Sequence, residues 1–325
     1  MGVDKKSLKV AVLMGGIGEE RQVSLESGKC VSQALKKSGV NVVTSDITPE
    51  NMEILDDDSI DVFFLALHGR FGEDGDLQQI MEDKGLIYTG SGPQASRLAF
   101  DKIASKRAFI EAGIDTPAVI EINSENDLKQ LEKRLQGFAD RYVVKPVRQG
   151  SSVGISIVNN ASQAVAAAQN VLREFGDCMI EEFIPGREIT VGIFCGEILP
   201  LIEVRPKTAF YDYHAKYIAD STEYLFDTIE DAAMETAIGQ TAKKCFDALQ
   251  LRDFARIDVI VGSDGKIYAL EANTIPGFTS HSLLPKAAAK VGYPMGDLCI
   301  KIIETALKRE HKNKCLVARS PRRSS

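Results

Sequence analysis

The stretch 254–273 constrains this chain more than any other. FARIDVIV (254–261) alternates apolar and polar side chains with the period of a strand, and KIYALEAN (266–273) follows as a second strand. Asp264-Gly265 between them is a strong two-residue hairpin signal. With that pair as the loop, Ser263 meets Lys266, Asp258 falls opposite Glu271, and Arg256 falls opposite Asn273. Two carboxylates with β-carbons about 5 Å apart repel each other and destabilise the hairpin. A bound divalent cation reverses that sign. Carboxylate and amide oxygens suit Mg²⁺, which keeps waters and completes its shell with substrate phosphates. A solvated charged face is the bland alternative, but it leaves Arg256 and Asn273 on the same face without a task, so the cation is favoured.

A second segment, KPVRQGSSVG (145–154), follows an apolar strand. Its backbone N–H groups, serine hydroxyls and strand-end Lys145 can cradle phosphate oxygens. It lacks the Gly-Lys-Ser/Thr of a Walker A loop, and by itself a Gly-Ser loop is a turn. GSGPQA (90–95) matches a relaxed dinucleotide fingerprint, yet it stands at the end of a domain and not after its first strand. It reads as a turn.

At 325 residues the chain fits two domains or three small ones. Hydrophobic residues at 44% and charged residues at 26% imply a soluble protein with a real core. A net charge of −7 argues against a dedicated nucleic-acid binder but not against a local cluster of Lys and Arg that takes a small anion. The opening residues are no signal peptide, no apolar run approaches the roughly 18 residues of a membrane span, and the six cysteines form no CxxC pair. A cytoplasmic protein with reduced thiols, free of membrane and nucleic-acid partners, is expected.

Strands at 9–14, 40–44, 61–67 and a candidate at 86–89 alternate with a helix capped by Ser24 and ended by Gly39, which predicts a parallel α/β sheet. Ligands of such sheets sit beyond the strand carboxyl ends, here 15–21 and 68–76. A helix at 101–113 leads to Thr116-Pro117. Beyond it come strands at 141–146, 154–158, 178–183, 188–194 and 197–204, with helices at 162–175, 230–249 and 294–308, an α+β pattern. From Glu310 the chain is basic and aperiodic, the mark of a disordered tail. The expected units are residues 1–100, 101–188, 189–310 and a tail at 311–325.

Eight segments in order resemble the D-alanine–D-alanine ligases of the ATP-grasp superfamily. They are GGIGEERQVS (15–24), LHGRFGEDG (67–75), YTGSG (88–92), DK (101–102), KPVRQGSSVG (145–154), FYDYHAKY (210–217), RID (256–258) and EANTIPGFTSHS (271–282). The resemblance spans residues 9 to about 308. It implies an ATP-grasp fold, α/β and α+β, in which a parallel-sheet domain precedes two α+β subdomains that clamp ATP. The implied reaction phosphorylates the carboxylate of one D-alanine, and the amine of a second D-alanine then attacks, releasing ADP and phosphate. The product is the D-alanyl-D-alanine of peptidoglycan precursors, and a homodimer is implied as well.

By match to the family motifs, Asp258, Glu271 and Asn273 would hold Mg²⁺, with Mn²⁺ an alternative. Arg256 and the Gly277 N–H would stabilise the tetrahedral oxyanion. Lys102, Lys145, Ser151 and Ser152 would meet ATP, Lys216 the transferred phosphoryl group, Glu181 the adenine and Glu188 the ribose. Glu20, with His68 nearby, would take the first substrate's ammonium, and Ser282 and Leu283 the second substrate's carboxylate. Glu20, Ser151 and Tyr217 would form a trio that closes a mobile loop.

Taken singly, several of these have blander readings. Glu20 and Arg21 are solvated loop charges, His68 is a satisfied structural histidine, and Tyr211, Tyr213 and Tyr217 form an aromatic cover; His214 and His281 have no assigned role. Three departures from the family pattern stand out: Gly18 where Ser is common, YLFDT (224–228) where Pro-Ala often follows the Tyr, and the basic tail. Tyr217 after Lys216 favours an amine acceptor over D-lactate. A catalytically silent nucleotide binder would have lost Arg256, Asp258 or Glu271, and all are present. A dinucleotide-dependent dehydrogenase would rest on 90–95 alone.

Overall fold

Three apolar runs near the amino terminus assemble the first sheet. The computed structural model describes residues 7–151, 153–206 and 222–319. In it β1 (Lys9–Gly15), β2 (Asn41–Ile47) and β3 (Val62–Leu65) run parallel in the order β2-β1-β3. The candidate strand at 86–89 is reduced to one bridge, Phe63 to Tyr88. Gly85 and Gly90, both at positive φ, turn the chain at either end of it. The first helix, α1 (Arg21–Lys37), starts ahead of Ser24, which is therefore not its cap. The Ser24 hydroxyl accepts the Gly15 N–H and donates to the Ala66 carbonyl, each at 2.9 Å, and so ties the ends of β1 and β3. Gly39, at φ +84°, carries the chain away from α1 as expected.

After β3 come α2 (Asp76–Asp83), α3 (Pro93–Phe100) and α4 (Lys102–Glu111). A four-stranded antiparallel sheet of β4 (Val119–Ile122), β5 (Tyr142–Lys145), β6 (Ser156–Val158) and β7 (Cys178–Glu182) follows, in the order β4-β7-β5-β6. It shares a core with α5 (Glu125–Arg134) and α6 (Ala161–Phe175). The sequence reading passed over β4 and α5. The cap that starts α5, Ser124 accepting the Asp127 N–H at 3.3 Å, was the available signal.

The six-stranded antiparallel sheet contains β8 (Gly186–Phe194), β9 (Glu197–Ile198), β10 (Ile202–Pro206), β11 (Thr222–Leu225), β12 (Phe254–Gly262) and β13 (Ile267–Asn273). Its order is β11-β10-β8-β12-β13, with β9 on β8. β8 runs straight through the expected boundary at 188/189. The single strand expected at 197–204 is two strands, because Pro200 between them has no N–H to give a ladder. One face of this sheet packs on α3, α4 and α7 (Ala232–Ala248). A second core joins the first sheet and α1 to α8 (Leu283–Lys290) and α9 (Met295–Arg319).

Two further expectations need correction. The helix α9 extends to Arg319, so it takes in part of the stretch read as a tail. Residues 309–319 contain neither Pro nor Gly, and the next strong helix breaker is Pro321. The hairpin loop has three residues, not two: the Gly262 N–H meets the Lys266 carbonyl at 2.9 Å, and Gly265 sits at φ +80°. That turn alone would slip the register by one. A bulge at Leu270 restores it, so Asp258 does face Glu271 and Arg256 does face Asn273.

The YTGSG segment is a joint, not a nucleotide loop. Asp253, buried and at φ +63°, accepts the Gly90 N–H at 2.9 Å and pairs with Arg309. Arg309 also donates to the Tyr88 carbonyl at 2.7 Å, and Arg252 to the Gly90 carbonyl at 2.8 Å. Among the described residues no helix is long and apolar enough to cross a membrane, and Cys30, Cys178, Cys195, Cys245 and Cys299 are free thiols.

Candidate active site

Side chains from all three sheets converge on one cleft. The loop after β1 supplies Glu20, the loop after β3 supplies His68 and Glu73, and the loop after β5 supplies Ser151. The six-stranded sheet supplies Glu188, Arg256, Asp258, Glu271 and Asn273, and the segment after β13 brings Gly277, Ser282 and Leu283. Lys102 and Lys145 line an adjoining pocket with Glu271, Gln149 and Gly150. These positions were all expected except Glu73, Gln149 and Gly150. Of the remainder, Ser152, Lys216 and Tyr217, with Tyr211, Tyr213 and His214, lie outside the described residues.

The acidic pair of the hairpin is neutralised by neighbouring cations. Asp258 accepts from Arg256 Nε at 2.9 Å and Nη2 at 2.8 Å, from Thr190 Oγ1 at 2.5 Å, and from Asn273 Nδ2 at 3.2 Å. Glu271 Oε2 lies 3.3 Å from Lys102 Nζ, which also donates to the Gln149 carbonyl at 2.6 Å. Among the described residues no three His, Cys, Asp or Glu side chains cluster as a metal cage. Two carboxylates and an amide on one strand pair still fit a hard cation that draws its other ligands from water and substrate.

Glu20 occupies the meeting point of three loops. Its carboxylate accepts from the Ser151 hydroxyl. A β-carbon built at Gly69 or Gly150 would lie 2.5 or 2.7 Å from Glu20 Oε2, so the missing side chains at both glycines leave the carboxylate its space. Two members of the expected trio are thus in contact.

His68 is the satisfied structural histidine. Nδ1 is 2.9 Å from the Ile275 carbonyl and Nε2 is 2.9 Å from Ser27 Oγ. The carbonyl can only accept, so Nδ1 carries the proton and Nε2 accepts from the serine. Burial pushes its pKa down to about 4, so the ring is neutral. Ser27 in turn accepts the Phe278 N–H at 3.2 Å, and His68 therefore holds the segment that carries Gly277.

Glu73 is a site group that the sequence reading missed. Its oxygens accept the Gly69 N–H at 2.8 Å and the Ile275 N–H at 3.2 Å. Burial, reinforced by the Glu20 charge, pushes its pKa up to about 8. The available signal was an acidic residue inside LHGRFGEDG, at the carboxyl end of a strand.

Ser282 precedes α8, and its hydroxyl accepts the Thr279 N–H at 2.9 Å. Ser282 and Leu283 line the cleft at the start of α8, and a helix start favours an anion. Glu188 lines the cleft. Glu181 does not: it is 2% exposed, with one lysine at each carboxylate oxygen, Lys106 at 2.8 Å and Lys145 at 2.7 Å.

Comparison with known proteins agrees with this architecture. The family model described as D-ala D-ala ligase C-terminus matches residues 109–304. A D-alanine–D-alanine ligase of Syntrophotalea carbinolica is 41% identical over 93% of this chain and 97% of its own. One from Pseudomonas putida is 41% identical over 91% and 92%. Among solved structures, the D-alanine–D-alanine ligase from Bacillus anthracis complexed with ATP superposes with a TM-score of 0.82 at 34% identity, covering 94% of this chain and 99% of that one. The VanG D-Ala:D-Ser ligase from Enterococcus faecalis gives 0.80 at 26% identity, covering 92% and 99%. The fold, with its parallel sheet and two antiparallel sheets around one cleft, is that of an ATP-grasp enzyme. The chain belongs to the D-alanine–D-alanine ligase family.

Proposed function

We propose that this protein joins two D-alanine molecules at the expense of ATP, through a D-alanyl phosphate, and releases ADP and phosphate. The observation that carries this reading is the register of β12 and β13, which sets Arg256, Asp258, Glu271 and Asn273 on one wall with Lys102 beside them. Family membership supports the same conclusion.

In this reading Glu20 takes the ammonium of the first D-alanine, and Ser151 and the unsubstituted Gly69 and Gly150 fix where its carboxylate stands. Lys102 and Lys145 draw the nucleotide phosphates in, and Glu188 accepts from the ribose hydroxyls. Asp258, Glu271 and Asn273 would hold Mg²⁺, which when bound neutralises phosphate charge as the phosphoryl group moves. Arg256 and the Gly277 N–H face the charge that develops on the tetrahedral centre, where fixed donors contribute most. The start of α8 at Ser282 and Leu283 receives the carboxylate of the second D-alanine and orients its amine. We further propose Ser152 and Lys216 as phosphate contacts, Tyr217 as the third member of the Glu20 trio, and a cytoplasmic homodimer.

Phosphate release with ATP and Mg²⁺ tests the reaction, comparing D-alanine alone with D-alanine plus D-lactate or D-serine. Release with D-alanine alone, and dipeptide as product, is expected. No phosphate under any condition would overturn the reading.

A further inference from the structure

Beneath the cleft lies a triad of buried charges in which Lys106 has no assigned task. Lys106, on α4, is 1% exposed, Glu181 is 2% exposed and Lys145 is 7% exposed. Lys106 Nζ stands 2.8 Å from Glu181 Oε1 and donates to Thr116 Oγ1 and to the Pro117 carbonyl, both at 2.7 Å. Lys106 lines neither the cleft nor the adjoining pocket. Lys145 Nζ stands 2.7 Å from Glu181 Oε2 and borders the pocket shared with Lys102 and Glu271.

The charge count decides what this arrangement does. A buried carboxylate facing one ammonium forms a neutral pair whose mutual attraction is strong where water is scarce. Such a pair would hold the Lys145 charge for itself. A second ammonium on the other oxygen divides the carboxylate between two cations, and the triad keeps one net positive charge next to the pocket. Burial alone would favour the neutral acid, but the two ammonium groups hold the Glu181 carboxyl below its ordinary range. Lys106 is also tied to the site wall through Thr116, whose hydroxyl donates to the Ala269 carbonyl at 2.8 Å on the strand that carries Glu271.

We propose that Lys106 is a positioning residue for nucleotide binding: it occupies one oxygen of Glu181 and thereby leaves the Lys145 ammonium available to an anionic phosphate oxygen. The inference rests on the ATP-dependent reading above.

The test uses the full chain, with ADP as the calorimetric probe and steady-state kinetics beside it. Lys106→Met should weaken ADP binding at least tenfold and raise the KM for ATP comparably, with the KM for D-alanine within twofold of the parent. Lys106→Gln, which keeps a donor for the Pro117 carbonyl, should show the same loss and serves if the Met variant does not fold. Lys106→Arg, which keeps the charge, should stay within threefold. Adding Glu181→Gln to either neutral variant should recover most of the lost ADP affinity, because the unopposed carboxylate is gone. Unchanged ADP affinity in a folded neutral variant overturns the proposal. So does an equal loss for ADP and D-alanine, or a failure of Glu181→Gln to rescue. If the unaltered protein neither binds ADP nor releases phosphate, it is the ATP-dependent reading that fails.

Discussion

Gly150→Ala separates the task of Glu20 from the stability of the fold. Gly150 is not among the residues at positive φ, so an alanine there meets no backbone penalty. Its β-carbon would stand 2.7 Å from Glu20 Oε2, 2.8 Å from Oε1 and 3.0 Å from Cδ. Ordinary carbon contacts begin near 3.5 Å, so the carboxylate must retreat by roughly 0.5–1 Å. The obstacle is the end of a flexible side chain, so the fold should lose less than about 1 kcal/mol. Function has no such latitude, since misplacement of a positioning group by about 1 Å can cost on the order of 100-fold in rate. We expect kcat/KM for D-alanine to fall roughly 10- to 100-fold, about 1.4–2.7 kcal/mol in transition-state binding. The melting temperature should move by only a few degrees. Steady-state kinetics on purified protein, with a thermal melt as control, provide the measurement. A well-folded variant with unchanged kcat/KM for D-alanine would refute the assignment of Glu20 to the substrate ammonium.

Other consequences follow from single groups. Glu271→Gln leaves Lys102 without its carboxylate and removes a metal-ligand charge, so phosphate release that depends on D-alanine should vanish from a folded protein; unchanged turnover would sink the metal assignment. Asp253→Ala strips the buried partner of Arg309 and the acceptor of the Gly90 N–H, and should cost about 3–5 kcal/mol in denaturant titrations, with Asp253→Asn costing less. A loss below 1 kcal/mol for the alanine variant would show that this joint does not hold the sheets together. Burial raises the Glu203 pKa, but hydrogen bonds from Arg187, Thr228 and Arg205 outweigh it and hold the value at about 2. With the folded value depressed, its stabilisation is complete above the unfolded value of about 4.3 and is lost as pH falls towards 2. Relative to Glu203→Gln, the parent should therefore be more stable at pH 7, by up to about 3 kcal/mol, and the gap should close below pH 3 in paired denaturation curves.

What the sequence made legible was mostly local. Apolar runs placed β1, β3, β5 and β7, because a strand buried on both faces has little choice of composition. Turn and cap chemistry was read less well. Ser24 looks like a cap, but its hydroxyl is spent on Gly15 and Ala66, a contact that exists only once β1 and β3 lie side by side. Glu181 falls within a motif expected to meet nucleotide, yet two lysines from α4 and β5 draw it beneath the surface. Lys106 carries no local pattern at all, and its partners are brought to it from other elements by the tertiary fold.

The hairpin shows how a correct reading of a site can rest on an incomplete reading of its backbone. Taken strictly, a three-residue loop at 263–265 pairs Gly262 with Lys266 and would set Asp258 opposite Leu270. Since side chains alternate, that slip would turn Glu271 and Asn273 to the other face. Leu270 absorbs the difference as an extra residue on β13, so the ladder runs in one register near the turn and in another at the site. A bulge breaks the ladder locally, and the chain tolerates this one where it re-aims the residues that matter. The alternation of charge in the two strands had already required Asp258 and Glu271 to share a face with Arg256. The turn and the bulge are two irregularities whose effects cancel at that face. Removing Leu270 should therefore leave Asp258 opposite Glu271 and Arg256 opposite Asn273, because the register set by the three-residue turn then runs unbroken to the site. Circular dichroism of the deletion variant, read beside its phosphate release, checks this: a native spectrum with retained activity is expected, and a folded variant without activity would mean that the bulge itself, and not the register of 256–273, shapes the site.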